Sequence, residues 1–139
     1  MLDPLSAVGA AAAATQFVEL GSSITKFLYT TIGAIKDAPE TLALRLEQVQ
    51  QLISISRLII EHPSFQTDSI EAVLGTCLRD IRKLQAVLLK LSPPSDAGRL
   101  RRWRVAFLAV MEEDSVQRAF SSLDQGKTTL VVCMEAINS

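Results

Sequence analysis

Apolar positions along this chain recur at spacings of three and four residues, the repeat of an amphipathic helix. The pattern is cleanest in the third segment. Ile70, Leu74, Cys77, Ile81, Leu84, Leu88 and Leu91 alternate spacings of four and three without a miss. Thr67 or Asp68 caps the start of this predicted helix, and Ser92-Pro93-Pro94-Ser95 stops it. The preceding segment predicts a helix from about Pro39 to Glu61. Leu42, Leu46, Val49, Ile53, Ser56 and Ile60 form one row of it, widened by Leu52, Ile55 and Ile59. His62-Pro63-Ser64 ends that helix, because a residue before proline is biased away from the α region.

The first segment opens on Asp3-Pro4, an N-cap followed by proline at the first helical position. Phe17, Leu20, Ile24, Phe27, Thr31 and Ala34 carry the helical pattern to about Lys36. Gly21 and Gly33 are expected to bend or divide this helix, and Asp37-Ala38-Pro39 to break it. Leu100, Val105, Phe107, Leu108 and Met111 predict a short fourth helix. Val116, Phe120, Leu123, Leu130, Met134 and Ile137 predict a last one over about 114–137, interrupted at Gly126 and Lys127. Period-two alternation never persists, so no strand is expected. The predicted fold is all-α: a helical bundle of four long helices plus a short basic helix, one domain over 1–139.

One stretch departs from ordinary amphipathic sequence. Leu5 to Val18 carries no charge, and five consecutive alanines, Ala10 to Ala14, sit in its middle. Ser6, Thr15 and Gln16 are its only polar side chains, whereas a helix on a soluble surface shows water a polar face. Burial in the bundle, insertion in a membrane, or exchange between the two would each accommodate it. An autonomous span needs about 20 apolar residues. Glu19 ends the uncharged run before that length, and Lys26 interrupts its continuation. No basic residue precedes the run, which argues against a signal peptide.

Composition narrows the class. A chain of 139 residues, 48% hydrophobic, is large enough for one well-buried core. A net charge of −1 excludes a globally basic nucleic-acid binder, and nucleic acid is not an expected partner. Cys77 and Cys133 each fall on an apolar stripe and read as two buried free thiols, which suits a reducing compartment.

No constellation for catalysis emerges, and neither enzyme activity, a cofactor nor a metal is expected. Gly126-Lys127-Thr128 resembles the end of a phosphate-binding loop, but Ser121 stands where that loop requires glycine and no strand precedes it. His62, at a helix end, has no partner in sequence. Ser6, Ser22 and Ser23 lack a nucleophile elbow. Glu112, Glu113 and Asp114 are adjacent, so in a helix they splay around the axis. The strongest polar signal is the group Arg99, Arg101, Arg102 and Arg104 around Trp103. It reads as a solvated basic face with Trp103 tucked into the bundle, as a site for anionic headgroups, or as a contact for an acidic partner.

The opening Asp3-Pro4-Leu5-Ser6-Ala7, followed by a small-residue helix and Gln16-Phe17-Val18-Glu19-Leu20-Gly21, resembles the N-terminal HeLo, HeLo-like and SesA-type domains of fungal NOD-like receptors. The Leu-rich second helix, the helix ending at Pro93-Pro94 and the Arg/Trp segment have counterparts there. The resemblance implies a bundle related to the four-helix executioner domain of the mixed-lineage kinase-like pseudokinase. It also implies a role in programmed cell death during non-self recognition (heterokaryon incompatibility in fungal immunity). In that group the apolar N-terminus leaves the bundle, targets the plasma membrane and permeabilises it. Carried onto this chain, the membrane-targeting positions would be Leu5, Val8, Gly9, Ala12, Phe17, Val18 and Leu20. Arg99, Arg101, Arg102, Trp103 and Arg104 would meet lipid headgroups or a partner. The partners implied are anionic lipids, further copies forming oligomers, and an amyloid-motif or nucleotide-binding receptor domain, attached or separate. The implied location is the cytoplasm at rest and the plasma membrane on activation. A chain that stops at Ser139, directly after a helix, is expected to be a domain cut from a longer protein. The alternative function is a non-lytic homotypic signalling adaptor.

Overall fold

The computed structural model describes residues 4–35 and 37–139, residues 4–8 as backbone only. The expected cap Asp3 lies outside the described residues, as do the side chains of Leu5, Ser6 and Val8. The described chain forms α1 (Pro4–Ala34), α2 (Glu40–Glu61), a 3-10 turn (Pro63–Phe65), α3 (Asp68–Leu88), α4 (Ala97–Met111) and α5 (Asp114–Asn138). No strand occurs among the described residues.

α1 runs unbroken through Gly21 and Gly33, against the expectation of a bend or division there. The reason at Gly21 is packing. A Cβ added there would lie 3.0 Å from Ile53 Cγ1 of α2, so the missing side chain lets two helices approach. The buried stripe of the first segment is Ala10, Ala14, Phe17, Gly21, Ile24, Leu28, Thr31 and Ile35. Asp37 then reverses the chain in the left-handed region, φ 61°, which aspartate tolerates better than most side chains.

α2 buries Leu42, Val49, Leu52, Ile53 and Ile59, and adds Gln48 and Ser56. Ile60, expected on the inner row, stays partly exposed at the helix end. The Gln48 amide, buried between helices, donates to Phe120 O of α5 at 2.7 Å. Thr67 caps α3 by accepting from Ile70 N at 3.3 Å. α3 stops at Leu88, one turn short of Leu91, and Leu91 packs on the core from the following turn. Asp96 caps α4 by accepting from Gly98 N at 3.0 Å.

α5 also corrects an expectation. It continues through Gly126-Lys127 without interruption. Gly126 is buried against α3, where a Cβ would come to 2.5 Å from Cys77 Sγ. The glycine therefore marks a close helix crossing, not a break.

Side-chain neighbours fix the topology. Gly9 of α1 meets Glu71 of α3, and Gln16 accepts from Arg82 Nη2 of α3 at 3.1 Å, so α1 and α3 run parallel. The Gly21–Ile53 contact makes α2 antiparallel to α1. Cys77–Gly126 and Lys127–Gln51 set α5 antiparallel to α3 and parallel to α2. The four helices close a ring in the order α1, α2, α5, α3, around a core rich in Phe17, Phe120, Leu52, Ile59, Ile70 and Ile81. One end of the bundle holds the start of α1, the end of α2, the 3-10 turn, the start of α3 and the end of α5. The other end holds the connection α1–α2, the end of α3 and α4.

Candidate functional site: a basic outer helix and a small-residue helix end

α4 lies outside the four-helix ring and is pinned by aromatic contacts. Trp103 Nε1 donates to Leu91 O at 2.8 Å. The indole stacks on Phe107 with centroids 5.1 Å apart, and Phe107, fully buried, meets Phe27 of α1 at 6.0 Å. Trp103 is thus committed on one edge to the turn after α3. The arginines point elsewhere. Arg99, Arg101 and Arg102 are exposed and Arg104 is half-buried. Arg99 pairs at 4.0 Å with Asp96, an exposed contact worth little. Among the described residues the other three make no ion pair. Val105 is 67% exposed. It follows Arg101 and Arg102 by four and three residues, so it shares their helix face. α4 therefore offers a face that combines guanidinium donors with an apolar side chain.

The first helix is uneven along its length. Its described N-terminal side chains are small: Gly9, Ala10 and Ala14 face the bundle, Ala13 is partly buried and Ala12 is exposed. Phe17 is fully buried, while Val18 and Leu20 are half-buried against the core. At about 0.8 kcal/mol per buried methylene, Ala10 and Ala14 together contribute about 1–2 kcal/mol. Phe17, Ile24 and Leu28 contribute about 1.5–3 kcal/mol each. Among the described side chains the large anchors therefore begin at Phe17, and before it only Gly9 and alanine methyls face the bundle. A Cβ added at Gly9 would meet the Glu71 carboxylate, the flexible end of a side chain on α3. No described helix is long and apolar enough to cross a membrane.

The residues weighed for catalysis are dispersed. Lys127 Nζ lies 2.9 Å from Gln51 Oε1 and 3.4 Å from Asp124 Oδ1, and Thr128 Oγ1 donates to Asp124 O, so this motif sits in a regular helix and braces α5 on α2. His62 is exposed and lies edge-on to Phe65, with ring centroids 5.9 Å apart. Ser22 and Ser23 are exposed. Among the described residues no group of three or more His, Cys, Asp or Glu side chains could hold a metal ion. Cys77 is a buried free thiol and Cys133 a half-buried one. Burial, with a smaller contribution from the Asp80 charge, pushes the Cys77 thiol up from 9.0 to about 12, so it stays protonated at neutral pH.

One surface escaped the sequence reading. At the end of the bundle opposite α4, an apolar groove of about 460 Å³ opens between α2, the 3-10 turn and α5. Ile55, Leu58, Phe65, Val131 and Met134 line it, and Glu135 stands on its wall. Leu58 and Val131 are 43% and 39% exposed. The available signal was apolar residues out of phase with the inner rows: Leu58 on α2 and Val131 on α5.

These features define the class: an all-helical bundle domain with an arginine-bearing outer helix. The particular family is set by comparison. The model for SesA, the N-terminal domain on NACHT NTPases and P-loop NTPases, matches residues 14–130, and the chain belongs to that family. A bundle in that position stands beside a nucleotide-binding receptor domain and suits a signalling or effector role. The match begins within the alanine run, leaving most of the uncharged N-terminal stretch outside it. No curated protein and no solved structure matches the chain.

Proposed function

We propose that this domain is the membrane-targeting effector of a NACHT-linked receptor, that it executes cell death, and that it works by clustering and not by chemistry at a site. The observation that carries the reading is the unevenness of α1. Its first turns are uncharged and, among the described side chains, anchored by alanines, while everything from Phe17 onward is locked by large ones. Such an end leaves a bundle at far lower cost than the rest of the helix. Small residues then suit close helix packing in lipid. The domain rests in the cytoplasm, and clustering by a neighbouring nucleotide-binding or amyloid-motif domain raises its local concentration at the plasma membrane. Arg101, Arg102 and Arg104 hold anionic headgroups while the α1 end inserts as one strand of an oligomer, since alone it is too short to span.

Ala12→Glu tests this, because Ala12 is exposed in the bundle and the change leaves the fold intact. Artificially clustered wild-type protein should release dye from vesicles containing anionic lipid, and the variant should not. Equal leakage from both would overturn the proposal.

A second reading is a non-lytic homotypic adaptor. It is favoured by the apolar groove, which offers a contact surface that needs no membrane. A defined oligomer that ignores anionic vesicles would select it.

A further inference from the structure

α5 is loosely seated in the ring, although its apolar stripe faces the core. Grooves border it on both flanks. Two, of about 460 and 310 Å³, lie between α2 and α5. Two more, of about 320 and 240 Å³, lie between α3 and α5. On the α2 flank several ties are polar: the Gln48 bond to Phe120 O, the Lys127–Gln51 contact, and the Arg45 guanidinium 4.9 Å from the Phe120 ring centroid. Water replaces such hydrogen bonds when a helix leaves, so each adds little net stability.

The α3 flank contains a group that opposes closure. Thr76 lines one of its grooves and Lys83 the other. Asp80 stands between them, four residues after one and three before the other, on the same helix face. It is 3% exposed and is the one charged side chain in the core among the described residues. Its Oδ2 has no hydrogen-bond partner there, and the carboxyl makes no ion pair among the described residues. Cys77, one turn earlier, faces Gly126 of α5 and feels the Asp80 charge, which places the carboxyl in the α3–α5 seam. The α5 residues lining these two grooves include no cation. A buried carboxyl without a partner is strongly destabilising, and apolar replacement of buried charge commonly stabilises. Closing the seam strands Asp80, and opening it returns the carboxyl to water.

We propose that α5 is the detachable helix of this bundle and that Asp80 keeps it so. In the open state α5 parts from α2 and α3 about the exposed Glu112-Glu113 link, while α1, α2 and α3 stay packed. α4 remains with them, pinned by Trp103 on Leu91 O and by Phe107 against Phe27. The open state bares Phe120, Leu123 and Leu130 of α5 to solvent. It requires no lipid. It is also separate from release of the first turns of α1, whose Gly9 lies against Glu71 of α3.

Cys77 reads the seam directly. Fully buried against Gly126, it meets a thiol reagent only when α5 lifts or the whole chain unfolds. In a Cys133→Ser background it is the sole thiol, and methyl methanethiosulfonate labelling gives its opening rate. Urea unfolding followed by circular dichroism gives the global rate for comparison. Cys77 should label at least about thirtyfold faster than global unfolding allows, with a shallow dependence on urea, because local opening exposes less surface. Asp80→Leu should raise the urea midpoint and slow labelling about tenfold or more. Asp80→Asn should act in the same direction and less. Thr31→Val is the control. Thr31 is a fully buried hydroxyl on α1, also without a partner, on the helix across the ring from α5. Its replacement should raise the urea midpoint and leave the Cys77 labelling rate unchanged. Labelling at the global rate, or slowed equally by Thr31→Val and Asp80→Leu, would overturn the detachable helix. Asp80 variants that label as fast as their parent, or that unfold at lower urea, would overturn the role of Asp80.

Discussion

Replacing Gly126 with alanine tests how closely α5 crosses α3. In an exposed helix interior, Gly→Ala stabilises by about 1 kcal/mol, because alanine loses less backbone entropy on folding. At Gly126 the new methyl would sit 2.5 Å from Cys77 Sγ, almost an ångström inside ordinary contact. Cys77 is fully buried and cannot swing away into solvent, so the helices must part or the core must shift. Overpacking of this kind costs about 1–3 kcal/mol. The overpacking term outweighs propensity, and Gly126→Ala should lose about 1 kcal/mol net, a fall in Tm of about 4 °C. Gly75 supplies the control. It lies in α3, is exposed, and an added Cβ there meets nothing within 4 Å, so Gly75→Ala should raise stability by about 1 kcal/mol. Removing the sulfur as well should relieve the clash: Cys77→Ala combined with Gly126→Ala should show a favourable coupling of about 1 kcal/mol or more. Urea unfolding followed by circular dichroism measures all of these. If Gly126→Ala stabilises as much as Gly75→Ala, the crossing is looser than described and the reasoning fails.

Four other outcomes follow from single residues. Gln48→Ala should cost about 1 kcal/mol in urea unfolding, and not more, because Phe120 O keeps its own helical partner when the Gln48 amide is lost. Trp103→Phe removes the bond to Leu91 O; amides of α4 should exchange with solvent faster by about tenfold, with little change in α1–α3. The Cys77 thiol, held near 12 when folded against 9.0 as its ordinary value, favours the folded state fully below pH 9. Stability should fall as pH rises from 9 toward 12, at up to about 1.4 kcal/mol per unit, and Cys77→Ala should abolish that slope. By the same burial, maleimide at pH 8 should label Cys133 well before Cys77.

Much of the fold was legible in the sequence because its helices are punctuated by proline and cap residues. Thr67, Pro39 and Pro63 bound their elements as local chemistry dictates, α3 ends at Leu88 ahead of the expected stop at Pro93-Pro94, and its stripe from Ile70 to Leu88 is buried as its spacing predicts. The errors came from glycine. Gly21 and Gly126 read as helix breakers by propensity, yet each lies where another helix presses close, and that information resides in the partner's Ile53 or Cys77. Gln48 was unreadable for a similar reason: its burial depends on a carbonyl 72 residues away. The arginines of α4 were visible as a cluster, but that Arg101, Arg102 and Arg104 make no ion pair among the described residues, and that Arg101 and Arg102 share a face with an exposed Val105, needed coordinates. The groove was hidden because Leu58 and Val131 are distant in sequence and look like scattered surface apolars until the 3-10 turn brings Phe65 between them.

The central claim is that the beginning of α1 is held more weakly than its remainder and can leave the bundle without unfolding it. Native-state hydrogen exchange resolved along α1 measures this directly. Amides of residues 10–16 should open at a free energy at least about 2 kcal/mol below those of residues 24–34, which should exchange only with global unfolding. Equal protection along the whole helix would mean that α1 moves as one body, and would contradict the claim.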